Sequence, residues 1–199
     1  MQRDWSQSAS LHAPGGGRKY LNHAERERAL AEMAKLPRSK ALFALTLAWT
    51  GARVSEVLAL TPASLQIETG IVAIETLKRR KHSVREVPIP PELMAALSKQ
   101  YKLSAPQRDE GRLWPWHRAT GWRIIKQVMR RSSIAGRQAC PRGLRHAFGV
   151  GSLQAGIPLN LAQRWLGHAR ISTTAIYTAA CGPEEVHLAR RFWRSVPPR

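Results

Sequence analysis

Four short segments of the sequence carry side chains that could do chemistry on a phosphate group. In chain order they contain Arg53 with Glu56, Lys78, Arg142 with Arg145, and His168 followed by Tyr177. Guanidinium and ammonium groups bind phosphate oxygens strongly, and imidazole and phenol groups can act as general bases or nucleophiles. The set is therefore suited to binding a phosphodiester and reacting with it.

Each segment taken alone also has an ordinary structural explanation. Arg53 and Glu56 could be an exposed pair on one helix face, worth roughly 0.3 kcal/mol. Arg142 and Arg145 could contact only a nucleic-acid backbone from a helix N-terminus. Tyr177 could be a core residue. The order of all the segments, rather than any one of them, argues for a site.

Three further residues have competing explanations. Lys78 is one of four consecutive basic residues, so it could be a general phosphate contact, and Lys81 is the alternative candidate for its role. His146 is expected to be a structural hydrogen-bonding residue within its helix rather than a catalyst. His168 could simply complete a helix C-cap after Gly167.

The order and spacing of these segments resemble those of the tyrosine recombinase (phage integrase) family. That family carries an arginine in a T-G-x-R-x-x-E segment, a hairpin lysine, an H-x-L-R-H segment, an L-G-H segment and then a tyrosine. This chain has T-G-A-R-V-S-E at 50–56, R-G-L-R-H at 142–146 and L-G-H at 166–168. The resemblance runs from about Leu21 onward. The short length favours the catalytic-domain-only members, such as the fimbrial phase-switch invertases.

The resemblance implies an activity and a role for each residue. It implies a site-specific DNA recombinase that forms a covalent 3′-phosphotyrosyl bond at Tyr177, without a metal, ATP or another cofactor. Arg53 and Arg145 would hold the phosphate, because planar guanidinium groups stabilise the charge that develops on its oxygens. Lys78 would protonate the leaving 5′ oxygen. The nucleophile and the arginines are shared with a type IB topoisomerase-like enzyme, which is an alternative.

The resemblance also implies supporting roles and one departure. His168 would bond the phosphate or assist the nucleophile, and Glu56 would orient the site. The family usually has histidine where this chain has Arg142. Arginine keeps a positive hydrogen-bond donor but is not a base near neutral pH. A DNA-binding regulator of the same fold that has lost catalysis is therefore a second alternative.

Composition limits the partners and the compartment. The 32 Lys and Arg residues outnumber the 13 Asp and Glu residues, which gives a net charge of +19. Such an excess predicts a nucleic-acid partner, which the resemblance implies is double-stranded DNA, although a basic ribosomal or nucleoid protein has the same composition. No apolar run is long enough to span a membrane, and two cysteines fit a reducing cytoplasm.

The elements that must position these residues are mainly α-helices with one small antiparallel sheet. Two strands flank a basic hairpin tip at 78–83, and a helix near 119–132 has an apolar face with Trp122, Ile125 and Met129. The expected DNA contacts on the hairpin tip and on the opposite face of that helix are Arg79, Arg80, Lys81, Arg123, Lys126 and Arg130.

The domain organisation predicted from the sequence has two parts. Residues 1–20 are rich in Ser, Gly and Arg and are expected to form a flexible arm, and residues 21–199 form the catalytic domain. The resemblance implies a tetramer assembled on DNA, with residues 183–199 as a candidate oligomerisation tail and accessory DNA-bending proteins as possible further partners. The whole interpretation requires residues from Arg53 to Tyr177 to converge on one phosphate, with the phenol outside the packed interior.

Overall fold

The helices and the sheet lie where the sequence patterns predict them. The computed structural model describes residues 10–76, 83–103, 111–179, 189–190 and 193–194. Its helices are α1 (His23–Ala34), α2 (Arg38–Thr50), α3 (Val54–Val57), α4 (Pro91–Tyr101), α5 (Arg118–Arg131), α6 (Pro141–Gln154), α7 (Leu159–Leu166) and α8 (Ser172–Ala175). Single-turn 3₁₀ helices cover Pro62–Ser64 and Ile176–Ala179. The strands are β1 (Leu65–Gln66), β2 (Ile71–Glu75) and β3 (Val84–Pro88). The predicted fold class is confirmed.

Helix α1 begins where the sequence predicts a capping box. The Asn22 side chain accepts a hydrogen bond from the Glu25 main-chain N–H at 2.8 Å, and the Glu25 carboxylate accepts one from the Asn22 N–H at 2.9 Å. These bonds satisfy main-chain donors that the first turn of a helix leaves unpaired. The cap therefore fixes the start of α1.

Helix α2 is the central helix of the domain. It contacts α1, α4, α5 and α6, and most of its side chains are buried. It ends at Gly51, which has a φ of +61° in the left-handed region. A side chain at Gly51 would overlap the Phe148 ring, so both the turn and the close packing favour glycine there. This turn delivers the chain directly to Arg53.

The three strands form an antiparallel sheet in the order β1-β2-β3. Val72 pairs with Val87, and Ile74 pairs with Arg85. The alternation along β3 buries Arg85 and Val87 and exposes the residues between and beside them. The strands thus hold an arginine on the face of the sheet that packs against the helices. The hairpin tip with Lys78, Arg79, Arg80 and Lys81 lies outside the described residues.

The structure differs from the expected flexible arm in the region of residues 10–20. His12 and Arg18 form an antiparallel bridge around a turn, and Leu11 and Tyr20 are buried in the core. These two apolar side chains gain more from burial than a polar tail would, so the segment packs against the domain. Residues 1–9 lie outside the described part of the chain.

The tryptophans divide between core and surface. Trp114 is fully buried, and its indole N–H donates to the Ser39 carbonyl at 3.0 Å. Trp122, expected on the apolar face of its helix with Ile125 and Met129, is 48% exposed. The expectation is wrong for Trp122 alone: Ile125 and Met129 are buried, and Gly121, Ile124 and Val128 complete the buried face of α5.

The C-terminal third is built from short helices. Helix α6 begins at Pro141, so Arg142 lies in its first turn. Tyr177 lies on the 3₁₀ turn that follows α8. The expected oligomerisation tail at 183–199 falls mostly outside the described residues, and Trp193 is exposed. None of the helices in the described ranges is long and apolar enough to cross a membrane.

Candidate active site

Arg53 stands at the start of α3 and is paired with a buried acid. Its Nη1 donates to Glu56 Oε1 at 2.7 Å, and its main-chain N–H donates to Glu56 Oε2 at 2.9 Å. The Arg53 side chain is 32% exposed, whereas the Glu56 side chain is 1% exposed. This is not an exposed helix pair. A buried carboxylate fixes the orientation of a guanidinium group that reaches the surface.

The Glu56 carboxylate lies between two arginines. Arg85 Nη2 donates to Glu56 Oε2 at 2.6 Å, opposite the contact from Arg53. Burial alone would raise the pKa of Glu56, but the charge of Arg85 and the hydrogen bonds from both arginines hold that pKa below its usual value. The carboxylate is therefore ionised at neutral pH, as a group that orients cations must be.

Arg85 is a site residue that sequence reasoning missed. Besides Glu56, it donates from Nε to the Trp165 carbonyl at 2.7 Å and from Nη1 to Thr76 Oγ1 at 3.0 Å. Its side chain is 3% exposed. One buried guanidinium group thus joins the sheet, α3 and the end of α7. The signal was available, because Arg85 occupies an inward-facing position two residues before the buried Val87.

Arg145 joins two turns of main chain. Its Nη1 donates to the Gly51 carbonyl and its Nη2 to the Leu166 carbonyl, each at 2.6 Å. Burial, followed by the neighbouring charge of Arg53, lowers the pKa of Arg145 to about 10, so it stays charged at neutral pH. These two carbonyls fix a buried positive charge beside the loops that carry Arg53 and His168.

Tyr177 lies in the same cluster, but its ring is buried. The residue is 3% exposed, and a Cβ at Gly149 would lie 2.5 Å from the ring. The phenol oxygen is 3.1 Å from His146 Nδ1. Burial raises the pKa of Tyr177, while the charges of Arg145 and Arg53 act in the opposite direction. The phenol therefore keeps its proton at neutral pH.

The burial of Tyr177 contradicts one requirement set by the sequence and leaves another satisfied. The phenol was required to lie outside the packed interior, and it does not. The arginines were required to gather around it, and the charges of Arg53 and Arg145 do act on its pKa. The two positive groups are therefore near enough to Tyr177 to act on its pKa, but the residue is covered.

His168 is held by the segment that carries the tyrosine. It follows Gly167, the left-handed C-cap of α7. Its Nδ1 lies 2.9 Å from Thr174 Oγ1, and its ring stacks on Tyr177 with centroids 6.2 Å apart. Burial, followed by the charges of Arg145 and Arg53, lowers the pKa of His168 to about 3, so the ring is neutral.

Of the remaining predicted site residues, His146 joins this cluster, Arg142 is exposed and Lys78 is not described. Arg142 is exposed on the first turn of α6, and its charge helps to lower the pKa of His146. Lys78 is among the residues that are not described. His146 was expected to bond within its own helix, but its ring contacts the Tyr177 phenol instead.

The basic face of α5 forms a separate surface. A hollow of about 470 Å³ is lined in part by Lys40, Trp122, Arg123, Lys126 and Arg130. Arg123 and Arg130 are exposed, and the Lys126 ammonium group lies 5.8 Å from the centroid of the Trp122 ring. The three predicted basic residues thus share one side of the helix, next to an exposed aromatic ring.

The sequence matches a known family of proteins. The model of the phage integrase family matches residues 19–181. The chain is 32% identical over 147 residues to tyrosine recombinase XerA of Pyrococcus furiosus, which is 69% of this chain and 49% of that relative. It is 32% identical over 204 residues to tyrosine recombinase XerD of Caulobacter vibrioides, which is 92% of this chain and 65% of that relative. The chain belongs to the phage integrase family.

Solved structures share the fold of this chain. The crystal structure of XerA recombinase aligns with a TM-score of 0.70 and 26% identity over 90% of this chain and 66% of that chain. The catalytic domain of bacteriophage HP1 integrase aligns with a TM-score of 0.63 and 23% identity over 90% of this chain and 98% of that chain. This chain spans about half to two thirds of the length of the curated relatives named above. The narrower likeness to fimbrial phase-switch invertases stays a prediction.

Proposed function

We propose that this chain is the catalytic part of a site-specific DNA recombinase that cleaves and rejoins DNA through a 3′-phosphotyrosyl bond at Tyr177. The observation that carries the proposal is the gathering of Arg53, Arg145 and two neutral histidines around one tyrosine. The relatives named as tyrosine recombinases support it. So does the fold of XerH recombinase, solved with its difH DNA substrate, which aligns with a TM-score of 0.69 and 22% identity.

The proposed roles follow from the charge and position of each group. Arg53 and Arg145 bind the scissile phosphate and stabilise the charge that grows on its oxygens during attack. Glu56 and Arg85 act through Arg53, because their buried ion pair fixes its position. Lys78 gives a proton to the leaving 5′ oxygen. Arginines take the electrostatic role that metal ions have in other phosphoryl-transfer sites, so the reaction needs neither metal nor ATP.

The proposal also requires the covered phenol to become reachable. Tyr177 lies on a single 3₁₀ turn after the four-residue helix α8, and such short elements open at low free-energy cost. We propose that DNA binding shifts this segment so that the hydroxyl meets the phosphate between Arg53 and Arg145. The negative phosphate would then lie within the most positive part of the site.

DNA is the proposed partner, bound through the basic faces of the molecule. Arg123, Lys126 and Arg130 on α5 would contact the DNA backbone, together with the hairpin tip. The net charge of +19 supports a polyanionic partner. If so, replacing Arg123 and Arg130 with alanine lowers the slope of log affinity against log salt by about two. An unchanged slope would remove α5 from the interface. Assembly as a tetramer on DNA through residues 183–199 completes the proposal.

The experiment that tests the activity is the trapping of the covalent intermediate. The cognate site is first selected by binding from duplexes that tile the DNA flanking the gene. Nicked suicide duplexes of that site are then incubated with the protein in EDTA, and a protein–DNA adduct is sought on a denaturing gel. The wild type is expected to form the adduct, and Tyr177→Phe is expected to bind the same DNA without forming it. An adduct that persists in Tyr177→Phe would overturn the assignment.

A DNA-binding regulator that has lost catalysis is a second candidate, favoured by the burial of Tyr177 and by the arginine at position 142. The same experiment separates the two candidates. The regulator would bind its selected site tightly and never form an adduct in any variant, whereas the recombinase forms one that depends on Tyr177.

A further inference from the structure

His146 and Tyr177 meet at the atom that would react. His146 Nδ1 lies 3.1 Å from the phenol oxygen, and the two ring centroids are 5.8 Å apart with their planes at 59°. The ring therefore approaches the hydroxyl with a nitrogen atom rather than with its face. His146 follows Arg145 directly on α6, so one helix turn supplies both a phosphate-binding charge and a contact to the nucleophile.

A phenol that attacks phosphorus must lose its proton to an acceptor within hydrogen-bond reach. The guanidinium groups of Arg53, Arg142 and Arg145 have no lone pair to accept it. His168 presents its ring face to the phenol and directs Nδ1 at Thr174 Oγ1, 2.9 Å away. Of the described groups in the cluster, His146 is the one whose nitrogen lies within hydrogen-bond distance of the phenol oxygen.

The surroundings keep the His146 ring neutral and ready to accept. Burial, followed by the charges of Arg145, Arg142 and Lys19, lowers the pKa of His146 to about 4. At neutral pH one ring nitrogen therefore carries a lone pair. A DNA phosphate bound nearby would oppose the effect of those positive charges, so the affinity of His146 for a proton would rise when substrate is present.

We propose that His146 is a catalytic residue of the recombination reaction, and that its Nδ1 accepts the phenolic proton as Tyr177 attacks the scissile phosphate. The inference rests on the proposed function. The bond from the phenol oxygen to phosphorus forms, and the bond from phosphorus to the 5′ oxygen breaks. The electron pair leaves with that oxygen, which takes a proton from a cationic acid, for which the sequence offers Lys78.

The rejoining step runs the same proton path in reverse. The 5′ hydroxyl attacks the phosphorus atom of the phosphotyrosyl bond. It loses its proton to the acid residue, which has been neutral since it protonated the 5′ oxygen in the first step. The leaving phenolate takes the proton back from the imidazolium of His146. The imidazolium of His146 is a stronger acid than the phenol, so it returns the proton readily and one residue serves both directions. The Nδ1–hydroxyl contact must therefore persist as the site opens to DNA.

The test compares two substitutions that differ in one property. His146→Asn places an amide oxygen near the position of Nδ1, where it can hold the phenol by a hydrogen bond but cannot take its proton. His146→Ala removes both functions. His23→Ala is the matched control, because His23 is an exposed histidine on α1. Single-turnover adduct formation on the nicked substrate is measured at saturating protein, alongside DNA affinity and the thermal midpoint of each variant.

Both His146 variants are expected to form the adduct about 10²–10⁴-fold more slowly than the wild type, with DNA affinity within a few-fold. His23→Ala should match the wild type. If His146→Asn reacts at the wild-type rate, His146 only holds the phenol and the proposal fails. If His146→Ala reacts as fast as the wild type or faster, His146 restrains the tyrosine and the proposal also fails. Should His146→Ala not fold, the near-isosteric His146→Asn decides alone.

The two proposals fail in different ways. A wild-type protein that forms no adduct on its selected site defeats the recombinase assignment, and His146 with it. A wild-type adduct that is lost in Tyr177→Phe but retained at full rate in His146→Asn defeats only the role of His146.

Discussion

The arginines of the candidate site and its tyrosine are held by different kinds of contact. Arg145 donates to main-chain carbonyls of two other segments, and Arg53 is paired with a carboxylate that a second arginine also binds. Tyr177 lies on a single 3₁₀ turn, and its hydroxyl contacts a neutral imidazole. One half of the site is fixed by buried charges, and the other by neutral contacts on short elements.

This difference suggests that the arginines and the tyrosine segment have different tasks in the reaction. Groups that stabilise a developing charge work best when they need no rearrangement at the moment of reaction. A nucleophile that must first be uncovered needs packing contacts around its ring that can be exchanged at low cost, while its hydroxyl keeps its hydrogen-bond partner. The buried ion pair would then set the phosphate pocket before DNA arrives, while the Tyr177 segment would respond to DNA.

The largest expected effect is a loss of stability when the buried charge of Glu56, which orders the arginines of the site, is removed. Glu56→Gln removes the buried negative charge and leaves the guanidinium group of Arg85 without its counter-charge. Breaking one side of such a buried pair costs about 3–5 kcal/mol, so the free energy of unfolding should fall by about that amount. Urea denaturation at pH 7 measures it. The matched control is Glu68→Gln, which removes an exposed carboxylate and should change stability by less than about 0.5 kcal/mol.

If Glu56→Gln lost no more stability than Glu68→Gln, the ion pair would not hold the site. The arginines would then need another source of order, and the contrast with the tyrosine segment would disappear.

The charged residues that fix the site were easier to predict from the sequence than the state of the tyrosine, but Arg85 was not predicted. Arg53, Glu56 and Arg145 could be found because a helix start at a defined spacing carries the charged groups. The strand alternation places Arg85 on the inward face of the sheet but does not show what it binds. Its importance comes from its contacts with Glu56 and with the Trp165 carbonyl in other elements, and tertiary contacts of that kind are not encoded in local spacing.

The sequence predicted that Tyr177 belongs to the site, but not that its phenol is buried. The spacing between His168 and Tyr177 placed both residues in the site, and the structure brings their rings together. Whether the phenol faces DNA or the core depends on how one 3₁₀ turn packs against Gly149 and His146, which no pattern in the sequence reveals. Trp122 was misplaced for a related reason. The apolar pattern of its helix fits two orientations about the helix axis, and only the packing of the helix against the domain decides between them.

A second prediction concerns the two neutral histidines beside Tyr177 and the dependence of stability on pH. The pKa values of His146 and His168 are lowered from 6.5 to about 4 and about 3. Between those values and 6.5 the unfolded chain binds more protons than the folded one. Stability should therefore be complete above pH 6.5 and should fall as the pH drops toward 4, by at most about 1.4 kcal/mol per pH unit for each histidine.

Urea denaturation at a series of pH values checks the slope. His146→Asn should remove about half of it, and His23→Ala should leave it unchanged. Glu56 contributes in the same direction at lower pH, because its folded-state pKa lies below its ordinary value and its stabilisation is lost as the carboxylate is protonated. A flat profile between pH 6.5 and 4.5 would mean that the two histidines can take up protons without disturbing the fold.

The smallest expected effect concerns Thr174, which connects His168 to the tyrosine segment. Thr174 is fully buried, and its hydroxyl lies 2.9 Å from His168 Nδ1. Thr174→Val keeps the shape of the side chain and removes this hydrogen bond, at a cost of about 1 kcal/mol. Thr174→Ser keeps the hydroxyl and is the matched control. Because His168 stacks on Tyr177, a ring that loses its partner should also misplace the phenol, and adduct formation should slow by roughly tenfold in Thr174→Val. If the two variants form adduct equally fast, the His168 ring is positioned by packing alone, and the tyrosine half would depend on His146 as its one polar contact among the described residues.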